Sequence, residues 1–312
     1  MSVLTLPTAA GQMAAGPASP LFMPLRIGDI ALRHRVVVGA WALRRALPPR
    51  GVPTPHMVSY YAQRATPGGM VVCEPVLVAP GDAFGRTPGL YAADQVNLWR
   101  DVTDAIHARG GYAVAHLCHP GALLSDRLAP LEAVLEDYRC AAENAGDAGF
   151  DAVELDAAPA ALPASLIAGY ASLPGLAVGG DGGRGLRLLA DVVQALLGVW
   201  PARRVGVWLS ALRPAVPMAR QLADMDIAYL HAAAAEPAAM AQMRRVFAGP
   251  LVLAVPGQAV PAVLACGGGL ADALSFGEAF LHEPDLVALL RQGRPLRLRR
   301  PAPQAGRRAV PR

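Results

Sequence analysis

His116 and Asp156 are the two side chains whose types and placing best suit acid–base chemistry. Each stands at the end of a short apolar run, 112–117 and 152–155, and if those runs are adjacent strands the carboxylate can orient the imidazole as a general base. The structural alternative is a buried, hydrogen-bonded histidine and an aspartate that caps the turn beginning at Ala157, a role Asp often takes. His231 closes another run in "AYLHAAAAE" and adds a third imidazole. These groups would bind a metal only if their distances converged, so no metal is assigned. His119 reads as a packing or hydrogen-bonding group, and Cys118 beside it points to the other face of its strand.

Composition excludes several chemistries. All 28 cations are arginine, since the sequence contains no lysine, and Schiff-base or pyridoxal-phosphate catalysis needs a lysine amine. Cys73, Cys118, Cys140 and Cys266 stand far apart with no C-x-x-C pair, which suggests neither a zinc site nor a disulfide framework, and a reducing cytoplasmic location is expected. The net charge of +4 is misleading, because residues 291–312 carry eight arginines and no acid; removing eight from 28 leaves 20 cations against 24 anions upstream. The body is therefore acidic. The basic stretch has no groove-reading motif beside it, so specific nucleic-acid binding is not expected. No run of about 20 apolar residues is uninterrupted, so no membrane span is expected.

These side chains need a scaffold. With 312 residues and 54% hydrophobic content the chain suits one large domain. Residues 1–20 read as a flexible leader, 21–292 as the domain and 293–312 as an Arg/Pro-rich basic tail. Eight apolar, β-branched runs at 35–39, 69–74, 112–117, 152–155, 204–209, 227–231, 250–255 and 273–276 read as strands. Helical spacing follows several of them, after Asp94, over 131–145, and over 185–200, 236–247 and 284–292. Continuously apolar strands alternating with helices imply a parallel sheet covered on its outer face, and eight such units close into an α/β (β/α)8 TIM barrel. An open doubly wound sheet is the runner-up. Chemistry in such barrels sits at the C-terminal ends of the strands.

Long stretches resemble the old yellow enzyme family, the NADH:flavin oxidoreductases that act as FMN-dependent ene-reductases. They are "LFMPLRIGDIALRHRVVVGAW" at 21–41, "GVPTPHMVSYYAQRATPGGMVVCEP" at 51–75, "TPGLYAADQVNLWRDVTDAIHARGGYAVAHLCHPG" at 87–121, "EDYRCAAENAGDAGFDAVEL" at 136–155 and "GLADALSFGEAFLHEPDLVALL" at 269–290. The resemblance implies FMN at the mouth of the barrel and a substrate held above it. It places Ala42, Gly69, His116, Trp208, Gly257 and Gly277 at flavin-binding positions, and Trp41, His119, Pro159, Trp208 and His231 around the substrate. Glu74 and Glu154 fall on acidic positions that the resemblance assigns to holding loops.

Many of those positions depart from the family's pattern. Ala42 stands for a hydrogen-bonding Thr or Cys, His116 for a Gln, Asp156 and Pro159 for the pair that grips a substrate carbonyl, and Ala161 for the proton-donating Tyr. Trp208 and Glu278 each replace an arginine, and Pro256 removes an N–H from a phosphate turn. Two lost charge-assisted contacts remove roughly 3–6 kcal/mol, which argues against ordinary FMN binding. The loops over the mouth, after Gly121 and between Ser210 and Ile227, read as shortened.

The sequence therefore supports three functions. In the first, the flavin site is degenerate: the chain is a pseudoenzyme or a repurposed enzyme that uses no cofactor and performs acid–base chemistry on a small unsaturated or carbonyl metabolite through His116 and Asp156. In the second, it remains an FMN-binding NAD(P)H oxidoreductase with non-standard contacts. In the third, it is a non-catalytic protein-binding partner; the family resemblance also implies a homodimer.

Overall fold

A computed structural model describes residues 18–81, 86–120, 130–157, 180–209, 215–233, 237–255 and 269–294. A two-stranded antiparallel hairpin comes first, β1 (Leu25–Ile27) and β2 (Ile30–Leu32). Gly28 takes φ +54°, the left-handed conformation that such a two-residue turn requires, and Asp29 N–H donates to the Arg203 carbonyl just below the barrel.

Eight strands then form a closed, all-parallel barrel: β3 (Val36–Val38), β4 (Met70–Leu77), β5 (Tyr112–Cys118), β6 (Ala152–Asp156), β7 (Val205–Leu209), β8 (Tyr229–Ala233), β9 (Leu251–Ala254) and β10 (Ala273–Phe276). Strand β10 pairs with β3 and closes the ring. Each strand coincides with one of the apolar runs in the sequence, and the (β/α)8 class follows.

Helices cover the outside: α1 (Pro55–Arg64), α2 (Ala93–His107), α3 (Leu131–Asp147), α4 (Gly180–Leu197), α5 (Ala215–Leu222), α6 (Pro237–Val246), α7 (Glu278–His282) and α8 (Leu286–Arg291). Helix α2 shows why they form: Val96, Trp99, Val102, Thr103 and Ile106 recur at three- and four-residue spacing and are buried on one face. Helix α3 buries Val134, Tyr138, Ala141, Ala142 and Ala145 in the same way, its alanines permitting close approach to the strands.

Two hydrophobic clusters result. The larger lies between the outward strand faces and the helices. The smaller fills the barrel's lower interior, where Val37, Met70, Val72, Val114, Ala152, Tyr229, Val252 and Ala273 meet hairpin residues Ile27, Ile30 and Leu32. The hairpin therefore plugs the N-terminal end, and any ligand must enter from the other end.

Two expectations change. Gly69 precedes β4 at the plugged end, packed against Thr66 and His34, about 20 Å of strand before Pro75, and it cannot meet a ligand at the mouth. The connection between β7 and β8 is not a bare short loop, because it carries α5. Residues 1–17 of the expected leader (1–20), residues 121–129 and residues 295–312 of the expected tail (293–312) lie outside the described residues, as do Pro159, Ala161, Pro256 and Gly257.

Candidate functional site

Strand alternation builds the site from the lower core upward. Two residues beyond Val114 stands His116; beyond Ala152 come Glu154 and Asp156; beyond Gly206, Trp208; and beyond Tyr229, His231. In β4 the register slips between Val72 and Pro75, so Pro75 pairs with His116 and reaches the mouth. A cavity of about 470 Å³ opens there, lined among others by Trp41, Ala42, Pro75, His116, Asp156, Trp208, His231, Gly277 and Glu278.

Beneath it lies a network of ionisable groups. Glu154 is 0% exposed and joins two imidazoles: His116 Nδ1–H donates to Oε1 at 2.6 Å, and His231 Nδ1–H donates to Oε2 at 2.8 Å. A carboxylate only accepts, so both Nδ1 atoms carry the proton. Burial alone would push the Glu154 carboxyl up, but the charge of His231 and the bonds from both rings outweigh it and hold it well below the usual carboxylate range.

The other nitrogen of His116 faces a second carboxylate, with Nε2 3.4 Å from Asp156 Oδ2. Burial would lower this ring's pKa, yet hydrogen bonds to Asp156 and Glu154 and their charges prevail and push it up to about 10. His116 is thus an imidazolium at neutral pH. The expected pair is brought together, but a ring with carboxylates at both nitrogens has no lone pair and donates rather than accepts.

His231 differs. Its Nδ1 is engaged by Glu154, its Nε2 is buried without a hydrogen-bond partner, and the Trp208 ring meets it edge to face at 4.4 Å. Trp208 also lies 6.3 Å from the His116 ring, so one indole fixes the orientation of both. Gly206 is small because a Cβ there would lie 2.3 Å from Cζ of Tyr229, whose buried ring supports Glu154 from below. Burial first, and the Glu154 charge second, hold the Tyr229 phenol protonated.

His119 is not among the residues lining the cavity. It packs against Tyr138 of α3 with ring centres 6.1 Å apart and lies 3.5 Å from Asp137. Glu74 also turns away, its Oε2 accepting from the N–H groups of Leu43 and Arg44 and so holding the loop that carries Trp41 and Ala42. Glu154 has a larger part than the loop-holding acid expected at that position, since it joins two imidazoles. Its signal was there, two residues before Asp156 and hence on the same strand face.

Comparison with known proteins bears on the family and the barrel. Residues 20–134 match the profile of the NADH:flavin oxidoreductase / NADH oxidase family. A 12-oxophytodienoate reductase 1 of Oryza sativa subsp. japonica is 29% identical over 235 residues, 65% of this chain and 61% of the relative, so the chain spans about three fifths of that protein's length. A putative 12-oxophytodienoate reductase 3 of the same organism is 29% identical over 92% of this chain and 90% of its own. The structure of the old yellow enzyme homologue from Zymomonas mobilis superposes with a TM-score of 0.75 at 27% identity, covering 86% of this chain and 91% of that one. A variant of the Zymomonas protein reaches 32% identity and a TM-score of 0.76 over 88% and 92% of the two chains.

Proposed function

Because the chain belongs to the old yellow enzyme family of NADH:flavin oxidoreductases, we propose that it is an FMN-dependent, NAD(P)H-driven reductase whose substrate enters the cavity at the C-terminal mouth of the barrel. The observation that carries this reading is the cavity's position: it opens at the strand ends of the family's barrel, with the opposite end plugged by the hairpin.

The residues present fit the ring of FMN. Gly39, Ala40, Ala42, Ala254 and Gly277 are small and line the cavity, leaving room for a planar heterocycle. His116 Nε2–H would donate to a ring carbonyl. Bound FMN would supply hydride chemistry, accepting two electrons from NAD(P)H and returning them to an electron-poor double bond. The chain's own part is to hold a proton at the His116–Asp156 pair, to fix both imidazoles through Glu154 and to exclude water with Trp208. The cofactor-free expectation gives way to this reading because the family favours flavin.

Glu278 is the observation that keeps the second reading open, since a carboxylate beside Gly277 does not suit a phosphate. In that reading the site has lost FMN and does acid–base work through the His116–Asp156 pair. Visible absorption of the purified protein separates the two. Stoichiometric flavin bleached anaerobically by NADH is expected; a colourless protein that takes up no added FMN would leave the acid–base reading. No described helix is long and apolar enough to cross a membrane.

A further inference from the structure

Of the imidazole nitrogens at the cavity wall, Nε2 of His231 is the one with nothing opposite it. The ring is 1% exposed and its Nδ1–H is committed to Glu154 at 2.8 Å, so the nitrogen on the far side of the ring is the one left for a ligand. That atom is buried and has no hydrogen-bond partner among the described residues, although His231 lines the cavity. His116 is placed differently, because its Nδ1 faces Glu154 and its Nε2 faces Asp156.

Burial would push the Glu154 carboxyl up, and the charge of His231 is the largest effect against it. A charged imidazole carries hydrogen on both nitrogens, so Nε2 is an N–H donor, and leaving it buried without an acceptor is costly. The ring is held in this orientation. Its Nδ1 is tied to Glu154, which is tied in turn to His116, and Trp208, paired with His231 on the neighbouring strand, meets the ring edge to face at 4.4 Å. Nearby wall residues Ala233, Ala254 and Val255 have side chains that accept no hydrogen bond. A fixed donor beside an apolar wall suits an acceptor that arrives with the ligand. That acceptor is uncharged: Glu154 and Asp156 already balance the two imidazoliums, and Glu278 adds a negative charge that opposes an anion.

We propose that His231 Nε2–H is the anchoring donor for a carbonyl oxygen of the ligand, with Trp208 setting the plane of the ring and Ala233, Ala254 and Val255 as the apolar wall beside it. A carbonyl can reach the cavity from two sources, the flavin ring and the reducible substrate, and the experiment separates them. The inference rests on the function above only in taking this cavity as the ligand site.

Full-length protein with isotopic nitrogen in its histidines tests it by NMR. Any flavin carried through purification is first removed by dialysis; FMN is then titrated in, and cyclohexanone is added before and after FMN. The Nε2–H resonance of His231 is expected to shift with at least one of the two ligands, while its Nδ1–H resonance, bonded to Glu154, stays in place. An Nε2–H signal that moves with neither ligand would overturn the proposal. Two variants separate anchoring from packing, because an Asn amide N–H falls near the place of Nδ1 and a Gln amide N–H near that of Nε2. His231→Asn keeps the donor to Glu154 and removes the one in the cavity, and should weaken the ligand by about tenfold or more. His231→Gln does the reverse and should weaken it less. Equal losses in the two, or a greater loss in His231→Gln, would mean that the ring acts only through Glu154 and would also overturn the proposal. A loss confined to FMN assigns the carbonyl to the cofactor, and one confined to cyclohexanone assigns it to the substrate; either supports the donor. The visible spectrum of the protein as purified reads the flavin function separately. A colourless protein whose Nε2–H shifts with cyclohexanone loses the flavin reading alone, and a yellow one in which neither ligand moves that signal loses this inference alone.

Discussion

Glu154 sits at 0% exposure and stays ionised because two imidazoles donate to it, and that dependence sets what substitution should do. Removing one partner from a buried pair leaves the other charge uncompensated, at about 3–5 kcal/mol. Glu154→Gln should therefore lose stability of that order in urea unfolding at pH 7, since its amide turns an N–H toward one of two rings that are already donors. Asp156→Asn, with 13% side-chain exposure and a single described ring as partner, should lose less than Glu154→Gln, because His116 keeps its bond to Glu154. Equal losses in the two variants would refute the central place given to Glu154. From sequence, His116 and Asp156 could be paired, because each ends a recognisable strand. His119 could not be placed so well: it lies just past the end of β5, where alternation no longer fixes direction, and it turned to α3. Gly69 was misplaced because a glycine before a strand and one after it look alike in sequence.

At the scale of elements, the barrel depends on how closely its strands and plug can meet. Ile27 in the hairpin is 0% exposed and packs into the lower interior, so Ile27→Ala should cost about 2–5 kcal/mol in chemical denaturation. Gly206→Ala would drive a methyl into the Tyr229 ring beneath Glu154, and a loss of about 1–3 kcal/mol is expected. That variant should also disturb His231 signals in NMR; thermal melts indistinguishable from wild type would count against the packing argument. The eight strands were readable because a buried parallel strand is apolar on both faces and needs no partner to be recognised. The hairpin was not recognised, though its Gly28-Asp29 turn is a usable signal, because three-residue strands carry too little pattern. Helix α5 was missed for a similar reason: it has eight residues, with Pro217 in its first turn, where proline is tolerated but reads as a break.

Across the whole molecule, the groups buried in and around the barrel link its stability to pH in a way that can be worked out by sign. The Glu74 carboxyl is pushed up to about 8 by burial, against the pull of the Arg44 and Leu43 N–H groups. Its unfolded counterpart ionises near 4.5, so the folded state binds the extra proton and stability falls as pH rises between those values. His116 is raised to about 10, and its contribution is complete below about 6.5 and disappears as pH climbs through 10. On the acid side, His34 is lowered to about 4, chiefly by burial, and penalises the fold as pH drops below about 6.5. Glu154, held low by its two histidines, adds stability above the ordinary carboxylate range that is lost as pH falls through it. These limbs meet near pH 6, roughly where thermal melts should show the maximum Tm. Glu74→Gln keeps an acceptor for the two loop N–H groups while removing the titration. It should flatten the limb between pH 5 and 8 and gain several degrees on wild type at pH 9. His116→Gln should be destabilised most near pH 6 and converge on wild type above pH 10, where the imidazolium is gone. Tm curves for the two variants that ran parallel to wild type from pH 4 to 11 would show that neither group links the fold to pH.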